Sequence, residues 1–185
     1  MSNWRPDFQP EHLYFVTTKA IDYAHVFQRD VMKRLLLDTL DCFRIQTRMK
    51  LFCFVIMPNH LHFIAQFSAE YPLEDIMRDF KRQTSDRVIR HLQAEGNKRA
   101  LDWLASKVKR PQKQTHKVWE DGYNAKDVAS EDFLIQKMEY IHNNPCQPHW
   151  NLSDSPESYI WSTARFYLTD SPCIIPVDDV RKLLQ

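Results

Sequence analysis

The stretch IQTRMKLFCFVIMPNHLHFIAQF, residues 45–67, carries two apolar runs on either side of Pro58–Asn59. Proline fixes its own φ and asparagine tolerates unusual dihedrals, so the pair reads as a tight turn. The run 45–57 is half polar and then wholly apolar, whereas 60–67 alternates. Both read as strands, antiparallel across that turn.

Outward from this hairpin, HLYFVTT (12–18) is rich in aromatic and β-branched residues and predicts a first strand. The spacing of apolar residues over 29–43 predicts a helix between it and the hairpin. From Pro72 to about Gln93, Leu73, Ile76, Met77, Phe80, Thr84, Val88 and Leu92 line one helical face. A short helix at 100–108 and a further strand within HKVWEDGYN (116–124) are expected next. SEDFLIQKMEYIHNN (130–144) predicts a strong helix, with Ser130 as N-cap, Glu131 and Asp132 in its first turn, and Pro145 at its end. The order β-α-β-β-α-(β)-α predicts an α+β fold: a ferredoxin-like split β-α-β unit, an antiparallel sheet with helices packed mainly on one face. A single domain over 1–185 is expected, with its core at about 12–150. The extension 151–185 should pack on it through the aromatic run 158–168.

Composition narrows the function. With 43% apolar and 26% charged residues the chain is an ordinary globular one. Its opening, MSNWRPDFQP, lacks the apolar core of a leader, and the apolar run 51–57 is far too short to cross a bilayer. Cys42, Cys53, Cys146 and Cys173 show no paired spacing, which excludes a cysteine zinc finger and points to reduced thiols in a cytoplasmic protein. Having only Gly96 and Gly122 excludes a glycine-rich phosphate loop. The formal net charge is +1, but Met77–Val118 holds twelve Lys/Arg against four acids. That segment therefore carries +8 and the rest −7, read either as a solvated helix with a basic loop or as a surface for phosphates.

His60 and His62 lie two apart and so share one strand face, while Leu61 and Phe63 take the other. Two imidazoles there either satisfy each other's surroundings structurally or make two corners of a metal site. A third donor has to come from elsewhere. On the helix 130–144, Tyr140 and Asn144 are four apart at the border of its apolar face, with Lys137 close by. They are either ordinary border residues or a cluster of phenol, amide and ammonium.

The succession MPNHLHFI, a basic helix, VWEDGYN and QKMEYIHNNP resembles the REP-associated tyrosine transposases, members of the single-tyrosine HUH group in which Leu61 fills the bulky middle position. The resemblance runs from about Tyr14 to Tyr167. It implies that His60 and His62 bind a divalent cation and that Tyr140 is the nucleophile. Asn144, one helical turn further on, would be the third ligand. An oxygen-rich completion of the site favours Mg²⁺ or Mn²⁺. The substrates so implied are single-stranded or hairpin DNA, cut through a covalent 5′-phosphotyrosine and rejoined by the released 3′-hydroxyl, with the protein a monomer or a homodimer. A phenol keeps its proton at neutral pH, and Lys137 is assigned to stabilising phenolate or phosphate. Arg78, Lys81, Arg82, Arg87, Lys107, Lys109, Arg110 and Lys113 become candidates for backbone contact, and Trp103 and Trp119 for base stacking. Two rivals are a hairpin-binding protein without catalysis, and a zinc hydrolase that adds His142 or His116 to the pair.

Overall fold

The computed structural model describes residues 7–183; the reading of residues 1–6 as lacking a leader lies outside the described residues. Four strands, β1 (Leu13–Lys19), β2 (Met49–Ile56), β3 (His60–Phe67) and β4 (Asn124–Asp127), form one antiparallel sheet in the order β2-β3-β1-β4. The helices are α1 (Asp30–Ile45), α2 (Leu73–Ala94), α3 (Lys98–Ser106), α4 (Glu131–Asn143) and α5 (Ala164–Thr169). This is the expected split β-α-β arrangement. None of the helices is long and apolar enough to cross a membrane among the described residues.

The hairpin forms where the sequence places it, with Met57 N–H donating to the His60 carbonyl across Pro58–Asn59 at 2.8 Å. In β2, a bulge shifts the register between Leu51 and Cys53, which pair with Ala65 and Ile64. The extra residue changes the parity of the strand. Cys53 and Val55 therefore join the face that carries His62, whereas Leu51 lies on the face of Ala65. Register also aligns Thr17 with His62 and Lys19 with His60.

The two faces are covered unequally. Tyr14, Val16, Phe54, Leu61 and Phe63 are all buried on one face, on the side of α1, against which α2 packs in turn. The helix α4 packs on the other, histidine-bearing face, and buries Leu134 and Ile141. Its start follows expectation, since the Ser130 hydroxyl accepts from the Phe133 N–H at 3.3 Å. Its end is less abrupt than the proline suggests. Asn144 keeps helical dihedrals (φ −56, ψ −46) although it precedes Pro145, and the chain tightens into a 3-10 turn over Asn144–Cys146.

The strand expected within 116–124 does not form. Trp119 makes only an isolated bridge with Ala20, and Gly122, at φ +69, bends the chain so that pairing resumes at Asn124. Tertiary packing explains the difference. The Trp119 indole is buried against Phe27 and Phe80, and its Nε1 donates to Thr84 Oγ1 at 3.0 Å. The aromatic tail does pack on the core, along the outer edge of β2. Ile56 N–H donates to the Trp161 carbonyl, Thr163 N–H to the Phe54 carbonyl, and the Tyr159 and Tyr167 hydroxyls to the carbonyls of Ile56 and Phe52. An otherwise open strand edge is thereby closed.

Candidate active site

His62 is buried, and its ring is fixed from both sides. Nδ1 lies 2.7 Å from Thr17 Oγ1, and the ring stacks on Phe15 at 5.4 Å. Nε2 faces the Tyr140 hydroxyl across a long contact of 3.4 Å. His60 is held likewise: its Nδ1 is 2.6 Å from Asn59 Oδ1, which fixes the tautomer that leaves Nε2 without the proton. The two imidazole centroids are 4.7 Å apart. Burial pushes His60 down to about 4, partly opposed by the Asn144 amide and assisted by the Lys19 charge. Burial, then His60 and Lys19, hold His62 well below the usual histidine range. Both rings are therefore neutral at neutral pH, the form that donates to a metal.

Tyr140 and Asn144 reach this pair from α4 for different reasons. Tyr140 is 48% exposed at the rim, its ring edge-on to His62 at 5.1 Å and to Phe15 at 6.1 Å. Asn144, one turn on, is only 5% exposed, and its Oδ1 has no hydrogen-bond partner among the described residues. A buried amide oxygen without a partner costs about 1–3 kcal/mol. It is also the kind of hard oxygen donor that would complete two imidazole nitrogens around Mg²⁺ or Mn²⁺. The residues present thus fit a divalent cation. Among the described residues no three His, Cys, Asp or Glu side chains converge on one point, so the zinc-hydrolase ligand set does not assemble. His142 instead turns into the core toward Cys53 and Thr163, and His116 bonds Thr115 in an exposed loop.

Lys137 lies over rings rather than at the phenolic oxygen, its Nζ being 4.9 Å from the Phe133 centroid and 5.8 Å from that of Tyr140. Partial burial, then Lys126, lower its pKa. Together with Phe15, Thr17, Lys19, His62 and Tyr140 it lines a cleft of about 530 Å³. Thr17, Asn59 and Lys19 are site residues that sequence reasoning missed. Only the pairing of β1 with β3 brings the first and last of them to the histidines.

The basic candidates divide sharply. Arg87 is turned inward, donating to the Leu35 carbonyl and Thr39 Oγ1 of α1, so it ties two helices together. Lys81 donates to the Glu120 and Gly122 carbonyls and pins the bend there. Lys107 pairs with Asp22 at 2.8 Å and lies over the Trp103 ring. Arg78 and Arg82 make exposed pairs with Asp75 and Asp79, worth about 0–1 kcal/mol and easily exchanged for phosphate. Lys109, Arg110 and Lys113 stay exposed in the loop after α3. Trp119 is core, so of the two stacking candidates only Trp103, 37% exposed, is accessible.

No curated protein matches this sequence. Among solved structures, the chain is similar to a REP-associated tyrosine transposase bound to a REP hairpin, with a TM-score of 0.65 and 16% identity over 97% of this chain and 93% of that one. A candidate transposase from Deinococcus radiodurans is 20% identical over 77% of this chain and 97% of the other, at a TM-score of 0.45. The first of these likenesses establishes a shared fold. The family model for the IS200-like transposases matches residues 12–144, from the start of β1 to the candidate ligand Asn144. Most of the chain is spanned by that match, and the protein belongs to the IS200-like transposase family.

Proposed function

We propose that this transposase cuts and rejoins single-stranded DNA at or beside a hairpin, with Tyr140 as nucleophile and a divalent cation held by His60, His62 and Asn144. The observation that carries the reading is the convergence of four residues: Tyr140 on His62, His62 on His60, and Asn144 next to His60, with the Asn144 oxygen buried and without a hydrogen-bond partner among the described residues. The hairpin bound by the structurally similar transposase supports the choice of DNA.

The chemistry follows from the side chains. When bound, the cation would polarise a non-bridging oxygen of the scissile phosphate and ease departure of the 3′-oxygen. Thr17 and Asn59 hold the two rings so that both Nε2 atoms face the site. Tyr140, presented on a rigid helix, attacks phosphorus in line. Its Oη–P bond forms as the P–O3′ bond breaks; the phenolic proton passes to solvent, and the 3′-oxygen takes one up. Reversal by that 3′-hydroxyl rejoins the strand without an external energy source. Lys137 and Lys19 place positive charge along the cleft, where phosphate and developing phenolate gather. Exposed Lys109, Arg110 and Lys113 would hold flanking backbone by charge alone.

The test is incubation with a single-stranded hairpin oligonucleotide and Mn²⁺, scored for a protein–DNA adduct that survives denaturation. The adduct should form with the native protein and vanish in Tyr140→Phe, while binding is kept. An undiminished adduct in Tyr140→Phe removes Tyr140 from the reaction. Binding without any cleavage would instead identify a hairpin-binding protein.

A further inference from the structure

The chain beyond α4 folds back beside the site in consecutive turns. Gln147 N–H donates to the Asn144 carbonyl, Trp150 N–H to the Gln147 carbonyl, and Leu152 N–H to the Pro145 carbonyl. These turns lay the Trp150 ring 5.6 Å from His60, with His25 at 5.6 Å and His149 at 5.5 Å around the same indole. Trp119 and Trp161 are core residues whose Nε1 atoms donate to Thr84 and Asp30. Trp150 differs from both: it is only partly buried, and its Nε1 has no partner among the described residues. His25 and His149 are exposed, so this aromatic cluster opens outward.

Its position relative to Tyr140 gives it a role. Tyr140 packs against His62, Trp150 against His60, and the two histidines touch edge to face. Along β3 the order is therefore Tyr140, His62, His60, Trp150. In-line displacement places the entering and leaving oxygens on opposite sides of phosphorus. A phosphate seated over the histidine pair and attacked from the Tyr140 side expels its 3′-oxygen toward Trp150. The nucleoside bearing that oxygen is the one on the 5′ side of the cut.

We propose that Trp150, flanked by His25 and His149, is the platform on which the base immediately 5′ to the scissile phosphate stacks. The proposal rests on the nucleophile assignment above and adds a substrate-contacting residue beyond the span matched by the family model. Stacking holds the released 3′-hydroxyl in register for rejoining and tolerates any base, since every base has a π face.

Two readouts test it. In Tyr140→Phe protein without metal, 2-aminopurine placed 5′ of the cut should be quenched on binding. Adding Trp150→Ala should restore its fluorescence, Trp150→Phe should keep most of the quench, and a probe 3′ of the cut should be unaffected by either. In otherwise native protein, Trp150→Ala and an abasic residue at the 5′ position should each slow adduct formation about ten-fold, and together no further. Additive losses, or a 5′ quench indifferent to Trp150→Ala, would overturn the platform while leaving the Tyr140 adduct intact. Failure of native protein to form any adduct would instead overturn the nucleophile assignment, and this proposal with it.

Discussion

Two histidine clusters lie under α4, and they differ in what their polar atoms do. In the first, His142, Cys53 and Thr163 bond one another, with His142 Nε2 at 3.3 Å from Cys53 Sγ and 3.1 Å from Thr163 Oγ1. Burial pushes the Cys53 thiol up to about 12 and His142 down to about 4. A thiol beside an imidazole looks like a nucleophile and its base, yet both are neutral, buried and satisfied. In the second, burial depresses His60 and His62 as well, but each is held through its Nδ1, His62 Nε2 makes only the long Tyr140 contact, and Asn144 Oδ1 has no hydrogen-bond partner among the described residues. Perturbed protonation is common to both. What separates a site from a core is the presence of donors held in place and left unused.

That contrast can be broken in four ways. The largest effect belongs to the open cluster. His60→Ala or His62→Ala should reduce cleavage by about a thousand-fold or more, the several kcal/mol that a metal supplies, in a protein that still folds. Full activity in either would make the pair structural. His142→Ala should do the reverse and cost about 2–4 kcal/mol of stability through a cavity and two stranded partners. Cleavage per folded molecule should stay near normal in Mn²⁺ assays below the melting point.

Both clusters should fail together in acid. His60 and His142 titrate at about 4 when folded against an ordinary 6.5, and His62 is lowered as well, so the unfolded chain takes up protons first. Their stabilisation is full above pH 6.5 and declines as pH falls toward 4. The urea midpoint measured across that window should fall, and less steeply in His142→Ala. Equal slopes would show that this ring is not buried neutral. Smallest is Asn144→Leu, which removes the stranded amide oxygen and should raise stability by about 1 kcal/mol while abolishing cation binding measured by calorimetry. A loss of stability there would mean that Asn144 has a partner in solution.

Much of this arrangement is legible in the sequence alone. The hairpin, the shared face of His60 and His62, and the Ser130 cap follow from spacing that local chemistry dictates. So does the rise from Tyr140 to Asn144 along one helix. What stayed hidden depends on distant partners. Thr17 meets His62 only because β1 pairs with β3 in one register. Val118 and Trp119 have the composition of a strand, but Phe27 and Phe80 bury the indole before a ladder can form. Arg87 has the same charge as Arg78 and a different fate, because α1 presents a carbonyl and a hydroxyl to it. Trp150 lies six residues past Asn144 in a segment with no periodicity, and only the successive turns bring it to His60.

The bulge at residue 52 has a bearing on how such a chain can vary. Upstream of it, β2 is phased to the sheet's other side; downstream, Cys53 and Val55 are phased to α4. Removing Phe52 would make Leu51 and Cys53 neighbours opposite Ala65 and Ile64, so the ladder would run without a kink and each half of β2 would keep its present face. Cys53 would stay beside His142, and the histidines, across the turn, would keep their own phase. Phe52 is thus a spare residue in the count of the strand. A deletion at that point is absorbed by the bulge, so the anchorage of the tyrosine helix and the aim of the imidazoles both tolerate it.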